Sequence, residues 1–209
     1  MAEFPLIDLK MILLLALLAG LLVGLGRAGW QHRSYQLPIL RSAWLAFAAF
    51  FPQLVIAYLP VTRHLLADWL ASIVLLMSLI LFSAFAWQNR HLPGMPILLA
   101  GLALNLIVIV ANGGWMPISP HTASQLTGVN VLEFTSLGSR FGQKDVLLLV
   151  QNIHFEFLSD RFLLPNWIPY KVAFSLGDIL IGLGIFWLLA HPYNKTAIVS
   201  GERVHLDYI

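Results

Sequence analysis

The sequence predicts an all-α integral membrane protein: a helical bundle of about five transmembrane helices with a partly helical exoplasmic cap. Three observations predict it. Of 209 residues, 59% are hydrophobic and 11% are charged, less than half the charged share of roughly 25% in a soluble domain. Five apolar segments approach the ~20 residues that a bilayer crossing needs. Tryptophan and tyrosine gather at the ends of those segments, where rings with one polar edge favour the headgroup layer.

The first span runs about 9–26 and contains "MILLLALLAGLLVGLG". Glu3 and Asp8 offset Lys10 before it, and no small-x-small cleavage site follows. It therefore reads as an uncleaved helix rather than a signal peptide. The second span, about 42–60, contains Pro52, and the neighbouring Gln53 is placed to satisfy a carbonyl that the proline frees. The third runs about 65–87, the fourth about 96–112 and the fifth about 172–190. The fourth is short for a ~30 Å hydrocarbon layer at ~1.5 Å per residue. Trp30, Trp44, Tyr58, Trp69, Trp87, Trp115, Trp167, Tyr170, Trp187 and Tyr193 sit near the ends. There are no internal repeats, so residues 1–209 read as one domain.

The segment 113–171 is too long to be a structureless loop. Within it, "DVLLLVQNIHFEFL" places Val146, Leu149, Val150 and Ile153 on one helical face. That predicts a short helix lying on the membrane surface or capping the bundle. Orientation follows from basic residues in short connections. Arg27, Arg33, Arg41, Arg90, Lys195 and Arg203 fall on one side; Lys10 and Arg63 fall on the other. This puts the N-terminus and the 113–171 segment outside and the C-terminus in the cytoplasm.

Composition also excludes functions. With no cysteine, thiolate metal sites, iron–sulfur clusters, disulfides and thiol nucleophiles are absent. A net charge of +2 with scattered basic residues argues against a nucleic-acid partner. All seven histidines fall in loops, tails or span edges, which argues against an internal haem or a histidine-held metal. His154, Glu156 and Asp160 offer a metal set on paper, but a spacing of two does not share a helical face. No cofactor is expected. "GLGRAG" at 24–29 matches a dinucleotide fingerprint, yet it follows a Leu/Ala-rich run and lacks the acidic residue about 20 positions on. No G-x-S-x-G, H-E-x-x-H or P-loop occurs. Nothing therefore argues for an enzyme, although a site built from dispersed residues stays open, Asp160 and Asp178 as an acid pair included.

Small residues suggest close helix packing: Ala16, Gly20 and Gly24 in the first span, Gly177 and Gly184 in the fifth. Asn105, midway along the fourth span, is suited to an interhelical hydrogen bond. Apart from Asp68 at the edge of the third span, Asp178 is the only carboxylate inside a predicted span, about two turns in. A carboxylate is costly there, so it needs a partner, for which Asn112, Arg161 and Lys171 are candidates. Asn112, Asp160, Ser175 and Asp178 fall at one membrane face and form the candidate cluster, structural or ligand-binding.

"NGGWMP" and "FLSDRFLLPNWIPYKVAFSLGDILIGLG" resemble a bacterial family of small multi-pass membrane proteins of unknown function. The matching residues are Asn112, Gly113, Gly114, Met116, Pro117, Asp160, Ser175, Gly177 and Asp178. The resemblance implies a membrane fold in a bacterial cytoplasmic (inner) membrane and no activity. The expected partners are the lipid bilayer and other membrane protein subunits. The expected role is accessory or structural, as a subunit of a larger bioenergetic, photosynthetic or transport assembly. The alternative is a membrane enzyme or transporter acting on a lipid or small solute at the exoplasmic face.

Overall fold

The computed structural model describes residues 8–58, 67–142, 144–165, 167–168 and 171–191. Expectations resting on Arg63, Tyr170, Tyr193, Lys195, Arg203, His64 and His205, and on the side chains of Lys10 and Tyr58, lie outside what is described. The protein is mostly helical. Its helices are α1 (Asp8–Trp30), α2 (Ala43–Tyr58), α3 (Asp68–Gln88), α4 (Met95–Ala111), α5 (Pro120–Thr127) and α6 (Leu176–Ala190). Within α1 and α3, Ile12–Trp30 and Asp68–Gln88 are long and apolar enough to cross a membrane; α2, α4 and α6 hold shorter apolar stretches.

The five long helices pack in a row. α1 packs on α6, α6 on α4, α4 on α3 and α3 on α2. Glycines set the closest approaches. On the antiparallel pair α4 and α6, Gly101 faces Gly177 and Gly94 faces Gly184. A Cβ at Gly177 would come within 2.8 Å of the Gly101 carbonyl, and one at Gly184 within 2.8 Å of the Gly94 carbonyl. On the parallel pair α1 and α6, Gly20 lies on the backbone of Phe186 and Gly24 on the carbonyl of Leu189. Any side chain at these six positions would force the backbones apart. Gly94 and Gly101 complete a pairing of which the sequence had offered only one side.

The segment 31–42 joins α1 to α2, the two edges of the row. On its way the Tyr35 hydroxyl donates to the Leu189 carbonyl at 2.8 Å, at the end of α6. Arg41 then meets Asn89, the residue that ends α3, through two hydrogen bonds of 2.7 and 2.9 Å. The row's outward surfaces stay apolar: Leu22 is 69% exposed and Phe47 74%, with Leu15, Ile73, Ile80 and Val110 also exposed. Trp30, Trp44, Trp87 and Trp187 lie toward one end of the row, Trp69 and Trp115 toward the other.

Residues 112–175 form a cap over the end where α4 stops and α6 starts. It corrects the all-α expectation. Strand β1 (Met116–Ile118) pairs in parallel with β3 (Asp145–Leu147), and β2 (Arg140–Phe141) pairs antiparallel with β3. β4 (Phe162–Leu163) pairs antiparallel with β5 (Ala173–Phe174). Short strands arise because the buried backbone of a long connection must find partners. The helix expected over 145–158 is absent. Val146 pairs in β3, Leu149 is extended, and only single 3-10 turns form at Val150–Asn152 and Glu156–Leu158. Ile118, Ala123, Val131, Phe141, Leu147 and Ala173 make a small core of the cap's own.

Candidate functional site

The site begins where α4 ends. Asn112 is the C-cap residue; Gly113 and Gly114 follow with φ of +74° and +88°. Both lie in the left-handed region that glycine enters without steric cost. The Gly114 N–H donates to the Ile109 carbonyl at 2.8 Å, closing the helix as glycine C-caps do. The chain then enters β1, all three residues of which are buried. The Met116 N–H donates to the Lys144 carbonyl at 2.9 Å, and the Asp160 N–H to the Pro117 carbonyl at 3.3 Å. β1 thus hangs both Lys144 and Asp160 over the helix ends.

α6 begins four residues later than the sequence suggested, because Ala173 and Phe174 pair in β5. Asp178 is therefore the third helical residue, not two turns inside. Ser175 and Asp178 form a reciprocal capping box. The Asp178 N–H donates to Ser175 Oγ at 3.1 Å, and the Ser175 N–H donates to Asp178 Oδ2 at 3.1 Å. An acidic side chain also suits the positive end of a helix.

Asn105 of α4 reaches across to this cap. Its Nδ2 donates to Asp178 Oδ1 at 2.8 Å, and Ser175 Oγ donates to its Oδ1 at 2.9 Å. Lys144 closes the network from above. Its Nζ lies 3.3 Å from Asp178 Oδ2 and 2.9 Å from Asp160 Oδ2. Both carboxylates are buried, with side chains 3% and 1% exposed, and the lysine side chain is 19% exposed. Burial opposes the Lys144 charge, but facing Asp160, Asp178 and Asp145 outweigh it and hold the ammonium above its usual range. Burial is the largest influence on Asp160 and raises its carboxyl well above the usual carboxylate range, against the pull of Lys144. Beyond the Lys144 ammonium at Oδ2, the Asp160 carboxyl has no hydrogen-bond partner.

Of the four candidate residues, Asp160, Ser175 and Asp178 meet, with Lys144 and Asn105 between and beside them. Asn112 points elsewhere: its Nδ2 donates to Val108 O at 2.7 Å and His154 O at 2.9 Å, and its Oδ1 accepts from the His154 N–H at 3.0 Å. It pins the cap to α4 at a second point. The partners expected for Asp178 are engaged differently. Arg161 pairs with Glu156 at 2.7 Å, and Lys171 lines a cavity of about 400 Å³ beside α5 that none of the buried carboxylates lines. Lys144 was missed, since one lysine among several basic residues of a long connection carries no local mark. Among the described residues no group of three or more His, Asp or Glu is placed to hold a metal. The arrangement can clamp the cap and hold or exchange a proton.

A family described as DUF5317, a family of unknown function, has a model that matches residues 38–190. The match spans α2 to α6 and the entire cap. No curated protein and no solved structure matches the chain.

Proposed function

We propose that this chain, which belongs to the DUF5317 family of unknown function, is an accessory or structural subunit of a larger assembly in a bacterial cytoplasmic membrane. In this reading all five long helices lie in the bilayer, and the cap faces the exoplasm. The N-terminus is outside and the C-terminus cytoplasmic.

The observation that carries the reading is the single-file row. Each helix packs on one or two neighbours, and both broad faces stay apolar and exposed. An exposed apolar surface of that extent suits lipid or partner helices rather than water. The tryptophans toward the two ends support the same view, being placed as interfacial belts are. So do Arg27, Arg33, Arg41 and Arg90, which lie at the end away from the cap, with no Asp or Glu among the described residues there. α4 and α6, at 17 and 15 residues, extend only about 26 and 23 Å. They suit a locally thin bilayer or a position shielded by partner subunits.

Extraction in mild detergent, followed by purification on a tag at one end of the chain, tests the role. Stoichiometric co-purification of other membrane proteins is expected. A monodisperse single chain carrying only lipid would sink the subunit reading. A transporter or enzyme at the exoplasmic face is the alternative, favoured by one observation: a buried carboxyl, Asp160, whose Oδ1 has no hydrogen-bond partner.

A further inference from the structure

We propose that the Asp160 carboxyl is a proton-binding site, and that the proton it takes from water lets the cap close on the helix row. Charge counting under the cap leads there. One ammonium, Lys144 Nζ, stands between Asp160 Oδ2 at 2.9 Å and Asp178 Oδ2 at 3.3 Å. One positive charge balances one of these carboxylates. Asp178 is otherwise well served, by Asn105 Nδ2 and the Ser175 N–H. Asp160 is 1% exposed, and the shared Lys144 ammonium at Oδ2 is its one contact, with Oδ1 left without a hydrogen-bond partner. A buried carboxylate that shares its cation with a second, better hydrogen-bonded carboxylate takes up a proton rather than remain charged.

The surroundings offer no better neutraliser. The charged groups facing Asp160 are Lys144, Asp145 on β3 and Asp178 on α6. From α4, Asn105 joins the network and does not titrate. Arg161, next in the chain, turns outward to Glu156. No set of ligands for a metal ion is assembled among the described residues. The proton is the ligand that fits: water supplies it, the carboxylate becomes a neutral acid, and Lys144 is left to Asp178.

The pH dependence has a definite sign. Burial raises the Asp160 carboxyl in the folded protein above its unfolded value of about 4. The folded state therefore binds the extra proton. Its stabilisation is complete below that unfolded value and is lost as pH rises through the folded value. Alkaline conditions leave Lys144 serving two anions and loosen the cap.

Infrared spectroscopy of the detergent-solubilised full chain reads the proton directly. A protonated-carboxyl band is expected at pH above the usual carboxylate range and should be missing in Asp160→Asn. Thermal unfolding across mildly acid to mildly alkaline pH supplies the second readout. The wild-type folded-to-unfolded ratio should fall by up to about tenfold per pH unit within the window. Asp160→Asn should lose that slope and match or exceed the wild type at the alkaline end. Three results would overturn the proposal: no protonated-carboxyl band in the wild type, a band kept in Asp160→Asn, or an unchanged slope in Asp160→Asn. Saturable rescue of the alkaline wild type by sodium or potassium, abolished in Asp160→Asn, would also overturn it in favour of a metal cation. If Asp160→Asn does not fold, infrared titration of the wild type alone decides: a band that disappears in one step above the usual carboxylate range supports the proposal, and its absence refutes it.

Discussion

The two ends of the helix row are held by the same device and differ in what is added to it. At the end away from the cap, Asn89 terminates α3; its Nδ2 donates to the Phe85 carbonyl at 2.8 Å while its amide grips both backbone groups of Arg41. At the cap end, Asn112 terminates α4, donates to the Val108 carbonyl at 2.7 Å and grips both backbone groups of His154. Each asparagine closes its helix and ties down a passing chain with one neutral side chain. Among the described residues only the cap end adds a buried charge group, that of Lys144, Asp160 and Asp178. A neutral clamp is local and indifferent to pH. A charged one carries a desolvation cost that only complete pairing offsets.

Removing the cation tests that difference most severely. Lys144→Met leaves the buried Asp178 carboxylate without a counter-ion beside Asp160 and should cost about 3–5 kcal/mol, read as early thermal loss of the cap by limited proteolysis between residues 119 and 168. A cost below about 1 kcal/mol would mean that buried charge contributes little to the clamp. The neutral clamps come next. Asn89→Ala and Asn112→Ala each strand buried backbone groups and should cost about 1–3 kcal/mol, with no change in pH slope. The second should raise proteolysis in the cap and the first should not; equal effects on the cap would erase the division between the ends. Ser175→Ala removes an N-cap and should lower stability by about 1 kcal/mol. The smallest effect falls on the surface pair of Arg161 and Glu156, where Arg161→Ala should change stability by less than about 0.5 kcal/mol. A larger loss would place Arg161 within the buried network.

Much of the helical layout was legible because apolar runs and aromatic ends are local signals. Four of the five long helices begin within about three residues of their expected starts, and α1 runs past its glycines to Trp30. Helix α6 was started too early because "KVAFS" is apolar. Yet Ser175 and Asp178 already spell a Ser-x-x-acid capping pattern, which would have put Asp178 at the helix start. The cap was poorly legible. Val146, Leu149, Val150 and Ile153 mimic a helical face, but β1 and β2, far away in sequence, compete for the same backbone. Lys144 is invisible for a similar reason, since it reaches Asp178 through a pairing between residues 116 and 144.

The segment 31–42 has a mechanical consequence. It must carry the chain from one edge of the row to the other, passing the ends of α6 and α3. Four helix spacings of about 8–10 Å make roughly 32–40 Å, whereas residues 33–40, the part free of turns, reach at most about 29 Å, so the turns at either end must make up the rest. The connection is therefore a tie rod with almost no slack, and it sets the width to which the row can spread. Deleting two residues from it should curl or split the row, while inserting two glycines should leave the stability within about 1 kcal/mol. Equal tolerance of both would mean that the rod is loose.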